Sequence, residues 1–361
     1  MSKQLLSVII PNYNHGHFLP EQLNAILNQS FRPFEIIIID DASTDDSVKV
    51  IQEYAKNNPE IVFYCNEVNQ GPIYGLNKGI DLARGDFIYF PSADDRICQG
   101  LFEKTMKQFA EHPTAGLCSG LTYVLTQAGD FSSLIRSPLI SSKVRFFKPF
   151  EVKVMLEKYG FWITGQTMIF RRNAILECGS RFNPDLKQFT DIFLPLVVSI
   201  KNGAIFIPET LASWRYAAGY AETNFKDADM TRLSFRQMVQ LMRSPLFHDL
   251  FTEKFINTYD RQVEYYLINR KIQSFSENAE KILLSFTDLK GTKWNKVFPI
   301  LPIVRLLFRC QYWLLRINAI CNLFNWNLLW GLRYFWGRRR NRFHYEVNDP
   351  LTKSSLQRLF S

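Results

Sequence analysis

Between Leu5 and Glu111 the chain alternates four times between a short apolar run and an amphipathic helical stretch. The apolar runs are Leu5–Ile10, Phe34–Ile39, Ile61–Tyr64 and Asp86–Phe90. Their length and β-branched content read as buried strands. The segments between and after them, Leu19–Asn28, Ser47–Lys56, Ile73–Arg84 and Leu101–Glu111, carry apolar residues at helical spacing, with Asp45 or Asp46 as the expected cap of the second. Strand and helix in strict alternation predict an α/β fold: a mostly parallel sheet flanked by helices on both faces. Sheets of that kind bind ligands beyond the carboxyl ends of their strands. Polar clusters stand at those ends: Asn12-Tyr13-Asn14, Asp40-Asp41 and Ser92-Ala93-Asp94-Asp95.

Beyond residue 115 the alternation loosens. Strands are expected within Gly116–Thr126, Thr167–Phe170 and Ala204–Ile207, helices near 150–159 and 190–201, and a largely helical stretch over 228–286. The 361 residues are read as three parts: a catalytic domain over 1–222, a helical extension over 223–290 and a basic, aromatic segment over 291–361.

Each acidic cluster supports more than one chemistry. The carboxylates of 40–45 either accept hydrogen bonds from a ligand or cap the following helix. Asp94 and Asp95 either join substrate phosphates around a hard divalent cation, which takes oxygen ligands and uses one or two protein carboxylates, or form a turn. The six cysteines, 65, 98, 118, 178, 310 and 321, show no metal-ligand spacing and read as small buried hydrophobes.

Taken in order, the motifs are Ser7-Val-Ile-Ile-Pro-Asn-Tyr-Asn14, Gln29-Ser30-Phe31, Phe34 to Asp45, Asn69-Gln70-Gly71, Asn77-Lys78-Gly79-Ile80, Ala83-Arg84-Gly85-Asp86 and Ser92 to Asp95. This series resembles the family 2 glycosyltransferases of GT-A-type fold, specifically over residues 5–100 and more loosely to about 220. The resemblance implies that Pro11 and Tyr13 border a nucleotide base and that Asp40 hydrogen-bonds it. Asp41 and Asn77 would line the donor site. Asp94 would hold Mg²⁺ or Mn²⁺ as the second carboxylate of an Asp-x-Asp signature whose first position is Ser92 here. Asp191, in Thr190-Asp191-Ile192, matches the family's catalytic base, with helix capping as the alternative. Trp162, Gln166, Trp214 and Arg215 fall in segments that resemble the acceptor side or serve as core packing. The implied activity is inverting transfer of a sugar from a nucleoside diphosphate, expected to be UDP, to a hydroxyl of a glycan or lipid-linked acceptor in cell-surface polysaccharide synthesis. The substitutions at 92 and 190 keep open a non-catalytic sugar-nucleotide-binding or scaffold protein. A nucleotidyltransferase would carry a glycine-rich basic loop after the first strand; residues 12–17 hold one glycine and no Lys or Arg.

The net charge is +9, and residues 290–342 hold eleven Lys or Arg and no Asp or Glu. Five of the seven tryptophans fall there too, at 294, 313, 326, 330 and 336. On a helix Arg305, Arg309 and Arg316 fall within about 40° of one another. The longest charge-free run, Ile317–Leu332, has 16 residues including four asparagines, against the roughly 20 apolar residues of a spanning helix. The expectation is a segment lying on an anionic membrane surface, with a helical hairpin packed on the catalytic domain as the alternative and nucleic acid excluded as a partner. No signal peptide is read at the N-terminus. The expected location is cytoplasmic, peripheral at the inner face of the cytoplasmic membrane.

Overall fold

The computed structural model describes residues 4–126, 131–134, 140–215 and 228–261, with 263, 264 and 267. The described residues form two compact units, one up to Thr252 and one from Glu253 on. The basic aromatic segment of 291–361 lies outside the described residues.

The first unit is built in the order β1 (Leu6–Asn12), α1 (Leu19–Leu27), β2 (Glu35–Asp40), α2 (Ser47–Asn57), β3 (Ile61–Cys65), α3 (Pro72–Leu82), β4 (Phe87–Tyr89), β5 (Arg96–Ile97) and α4 (Leu101–Glu111). It continues with β6 (Leu117–Leu125), β7 (Phe131–Leu134), β8 (Arg145–Phe147), α5 (Pro149–Tyr159), β9 (Ile169–Arg171), α6 (Arg172–Glu177), α7 (Thr190–Asn202), β10 (Ala204–Arg215) and α8 (Ala228–Met242). One sheet takes in all these strands, in the order β3-β2-β1-β4-β9-β6-β10-β5, with β7 on β6 and β8 on β10. The expected α/β fold is therefore present. Its parallel part is β3-β2-β1-β4 together with the β6–β10 pair, while β9 runs antiparallel to both β4 and β6.

Central position explains the composition of the first strands. In β1 every residue but Pro11 is buried, and in β2 all are, as expected of parallel strands covered on both faces. Leu19, Leu23, Ile26 and Leu27 of α1 pack into one core with Val8, Ile10, Ile36 and Ile38. On the other face α3 approaches β1 through glycines: a Cβ at Gly79 would lie 2.2 Å from Ile9 Cγ2, and one at Gly75 3.3 Å from Pro11 Cβ.

A buried carboxylate clamps the amino ends of these strands. Glu35 Oε1 accepts from Ser7 Oγ and from Arg84 N, both at 2.7 Å, and Oε2 accepts from Arg84 Nε at 2.9 Å. Burial alone would raise this carboxyl; the hydrogen bonds from Ser7 and Arg84 and the guanidinium charge outweigh it and hold it below the usual range. Gly85 N donates to Ser7 Oγ, and a Cβ at Gly85 would meet that oxygen at 2.6 Å. The Arg-Gly-Asp stretch at 84–86 thus serves the fold.

At the far end of the unit, α8 packs on the 3-10 segment Pro184–Phe189 that leads into α7, through Phe235 on Phe189 (5.7 Å between rings) and Gln188 Nε2 on Thr231 Oγ1 at 3.3 Å. In the second unit, residues 253–261 are helical, and Phe255 and Tyr259 stack one turn apart with centroids 5.8 Å apart.

Candidate active site

The parallel register sets Asn12 beside Asp40, so the loops after β1 and β2 leave the sheet together. They are tied to each other. Asn12 Nδ2 donates to Asp40 Oδ1 at 2.7 Å, Ser43 Oγ donates to the same oxygen at 2.6 Å, and Ser43 N donates to Oδ2 at 2.9 Å. Asn14 N donates to Ser43 Oγ, and Asn14 Oδ1 accepts from Thr44 N. Asp45 takes the amides of Gly16 and Ser47, so the N-terminal turn of α2 is served by Asp45 while Asp46 occupies the cap position without a side-chain bond. These bonds hold Asn14 and Ala42 at φ of 55° and 60°, a region costly for Ala. The one glycine amide after β1 is thereby spent on Asp45 rather than offered to a phosphate.

Asp40 is fully buried, and beyond these bonds its Oδ2 meets only the Cys65 thiol, at 3.8 Å. Burial and the Asp40 charge push that thiol up. Cys65 itself is exposed. Asp41 is also buried and saturated: Oδ1 accepts from Asn66 Nδ2 and Gln70 N at 2.9 Å each, and Oδ2 from Gly71 N at 2.7 Å. It fixes the loop that starts α3. Tyr13, by contrast, presents its ring to solvent at 44% exposure beside half-buried Pro11.

Asn77 reaches away from this wall. Its Nδ2 donates to the carbonyl of Phe182 at 2.8 Å, while its buried Oδ1 has no partner. Phe182 also packs edge-on against Phe90, 5.1 Å between rings, just ahead of the Ser92–Asp95 turn. Asn183 N then donates to Thr190 Oγ1 at 2.6 Å. Thr190 therefore fixes the entry to α7, and Asp191 stands in that helix's first turn. The Asp191 side chain is exposed, yet the protein mass around it desolvates the carboxyl and pushes it up to about 7. Its surface is open to solvent, and the upward direction says it holds a proton more tightly than an ordinary carboxylate.

In the acidic turn, Ser92 is exposed, Asp94 half-buried and Asp95 buried. Asp95 Oδ1 accepts from Arg215 N at 2.8 Å, and burial plus the neighbouring Asp94 charge holds its carboxyl well above the usual range. No hydrogen bond or ion pair engages the Asp94 carboxylate among the described residues. The four residues expected on the acceptor side are dispersed. Trp162 is fully buried between Phe147 and Phe206, which is the core-packing alternative. Gln166 is half-buried, and its carbonyl accepts from Tyr89 Oη at 2.6 Å. Trp214 is half-buried on β10, and Arg215 is buried, its guanidinium paired with Glu21 of α1. Glu21 and Arg96, which share that pairing, went unmarked in the sequence; a lone acid in the first turn of an amphipathic helix carries no signal.

Residues 7–179 match the family model described as Glycosyl transferase family 2. An uncharacterized glycosyltransferase of Haemophilus influenzae is 36% identical over 106 residues, 29% of this chain and 42% of the relative. A GalNAc(5)-diNAcBac-PP-undecaprenol beta-1,3-glucosyltransferase of Campylobacter jejuni is 36% identical over 107 residues, 29% of this chain and 35% of the relative. The chain thus spans less than half the length of these curated relatives. Among solved structures, S. aureus TarS 1-349 in complex with UDP-GlcNAc superposes with a TM-score of 0.56 at 18% identity, covering 89% of this chain and 80% of that one. The mannosyltransferase PcManGT from Pyrobaculum calidifontis, in complex with GDP-Man and Mn²⁺, gives 0.52 at 17%, over 90% and 88%. The fold is of GT-A type, and residues 7–179 of this chain are a glycosyl transferase family 2 domain.

Proposed function

We propose that residues 1–222 transfer a sugar from a nucleoside diphosphate to an acceptor hydroxyl, with inversion, in the synthesis of a cell-surface glycan. The observation that carries this reading is the contrast among the carboxylates. Asp40, Asp41 and Asp45 are spent on hydrogen bonds that stiffen the loops, whereas Asp94 and Asp191 are accessible and unpaired with any cation among the described residues. Stiff loops with Pro11 and exposed Tyr13 offer a flat wall for a base, with Asp41 and Asn77 as supports of that wall. Asp40 would hydrogen-bond that base. Ser92 can hydrogen-bond a hydroxyl but brings no charge.

A divalent cation, Mg²⁺ or Mn²⁺, is part of the reading. The residues fit it: Asp94 is an accessible carboxylate, and its charge already penalises ionisation of Asp95 beside it, a conflict that a cation relieves. Among the described residues no three potential ligands converge, which suits a cation completed by substrate phosphates. Asp94 would hold it, and the cation would supply charge stabilisation to the departing diphosphate. Asp191 would accept the proton of the attacking hydroxyl. The single displacement with inversion is carried over from the family 2 resemblance, with Asp191 as its base.

The acceptor is proposed to be a glycan or a lipid-linked glycan, in line with the Campylobacter relative, a GalNAc(5)-diNAcBac-PP-undecaprenol beta-1,3-glucosyltransferase. Residues 291–361, which lie outside the described residues, are proposed to rest on an anionic membrane surface through their basic, tryptophan-rich sequence. The test is thermal stabilisation by UDP- and GDP-sugars with Mn²⁺, followed by release of the nucleoside diphosphate. Asp94→Asn should lose the metal-dependent stabilisation and the turnover while melting as the wild type does. Full turnover in that variant, or in excess EDTA, sinks the metal assignment. Binding without any release of nucleoside diphosphate favours the non-catalytic alternative.

A further inference from the structure

Arg215 ends β10 beside the acidic turn, and its side chain is 2% exposed. Its backbone N–H donates to Asp95 Oδ1 and its Nε to the carbonyl of Asp94, both at 2.8 Å. Its terminal nitrogen pairs with Glu21 Oε2 on α1, and the guanidinium carbon sits 4.8 Å from the centroid of Phe18. The other oxygen of Glu21 pairs with Arg96 Nη1 at 2.8 Å. Arg96 also reaches Tyr123 Oη at 3.2 Å, and its backbone N and O both bond Ser213 Oγ, at 3.1 and 2.9 Å. One carboxylate thus bridges two guanidiniums that flank the acidic turn.

A buried guanidinium is tolerated only when it is paired and hydrogen-bonded. Glu21 supplies the charge, which fixes where the fork points. The fork in turn holds the Asp94 carbonyl. Because the peptide unit is planar, holding that oxygen fixes the 94–95 peptide plane and with it the direction in which the Asp94 backbone presents its side chain. We propose that Arg215, oriented by Glu21, is a positioning residue for cation binding at Asp94. This moves Arg215 from the acceptor side, where sequence resemblance had it, to the support of the donor site. The proposal rests on the reading of Asp94 as the cation ligand.

The experiment separates metal uptake from nucleotide binding in the full chain. Mn²⁺ is titrated into protein with saturating UDP, and in parallel GDP, while free Mn²⁺ is followed by electron paramagnetic resonance. Binding of the same nucleotides is measured in EDTA. Arg215→Met and Glu21→Gln should weaken Mn²⁺ uptake by about 10–100-fold, the usual effect of losing a group that orients a metal ligand, with metal-free nucleotide binding unchanged. Arg215→Lys, which keeps the charge toward Glu21 and one donor, should recover part of the loss. Should Arg215→Met fail to fold, Glu21→Gln and Arg215→Lys still decide the matter. Variants that melt lower yet take up Mn²⁺ as the wild type does would overturn the proposal and leave Arg215 a structural strut. Wild-type protein that takes up no Mn²⁺ with either nucleotide would overturn the donor-site reading itself, and this inference with it.

Discussion

Asp191→Asn removes the proposed proton acceptor and preserves the size of the side chain. A positioned general base contributes about 10²–10⁴-fold to turnover, so kcat should fall by about 3–5 kcal/mol of transition-state stabilisation. Donor affinity should stay within about twofold, because a base interacts chiefly in the transition state. The structure adds a pH signature. Desolvation pushes the Asp191 carboxyl up to about 7, and only the ionised form can accept a proton. The wild-type kcat/KM should therefore climb about tenfold per pH unit below that value and level off above it. Stability should move the other way. A carboxyl raised in the folded state contributes stability that is fully present below its unfolded value and lost as pH rises through about 7. The Asn variant has no such loss, so its melting temperature should gain on the wild type's between pH 5 and pH 8. The assay is initial-rate release of nucleoside diphosphate from pH 5 to 9, with thermal melts of both proteins. A wild-type profile that is flat through pH 7, or an Asn variant keeping more than about a tenth of the activity, would refute the assignment. Collapse of donor binding in the variant would place Asp191 in the donor site instead.

Three further outcomes are expected. Glu35→Gln should cost about 1–3 kcal/mol in urea denaturation, the range for stranded buried partners, rather than the 3–5 of a wholly buried ion pair, because the Arg84 side chain is 67% exposed. Since the Glu35 carboxyl is lowered in the fold, the wild-type advantage should be present above the unfolded carboxylate range and fade as pH falls through the lowered value. Gly79→Ala places a Cβ 2.2 Å from Ile9 Cγ2 and should destabilise by about 1–3 kcal/mol in urea denaturation; a variant as stable as the wild type would show that the helix and strand separate there at no cost. Truncation after about residue 290 should lower co-sedimentation with anionic vesicles, and serine at Arg338, Arg339, Arg340 and Arg342 should lower it more for anionic than for neutral vesicles. Equal sedimentation of full-length and truncated protein would remove the membrane role.

The first half of the sheet was legible because its strands lie in apolar runs and its helices are long enough to show their own period. β1 to β3 are five to seven residues of nearly unbroken apolar sequence, and α4 buries Leu101, Phe102, Thr105, Met106 and Phe109 on one face. β5 and β8, of two and three residues, went unread, whereas the equally short β4 and β9 were marked by the apolar runs around them. For β9 the apolar run revealed a strand, but its antiparallel pairing with β4 joins Tyr89 to Ile169, and direction across such a gap is a property of the assembled sheet. The site divided in the same way. Sequence marked Asp40, Asp41, Asp94 and Asp191 as carboxylates in suggestive places, yet could not show which of them already had donors. Whether an Asp is spent or available depends on partners such as Asn12, Asn66 and Arg215, and the last reaches Glu21 across 194 positions.

That division bears on how the site acquires its chemistry. A carboxylate at a strand end is surrounded by the unpaired amides of the loop that leaves the strand, and satisfying those amides is the cheapest way to make the loop rigid. Asp40, Asp41 and Asp45 do this with eight donors among them, Asn12 Nδ2, Ser43 N, Ser43 Oγ, Asn66 Nδ2, Gln70 N, Gly71 N, Gly16 N and Ser47 N. Only once those loops are fixed can an accessible group hold a defined geometry, since reacting groups must be placed within about 0.5 Å by surroundings that do not yield. Asp94 and Asp191 are left accessible against such surroundings, the first on a turn held by Arg215, the second at a helix start held by Thr190 and, through Phe182, by Asn77. The acidic residues that look most like a ligand site in the sequence are thus mainly its framework, and the two that remain accessible are those through which a donor and an acceptor could be worked upon.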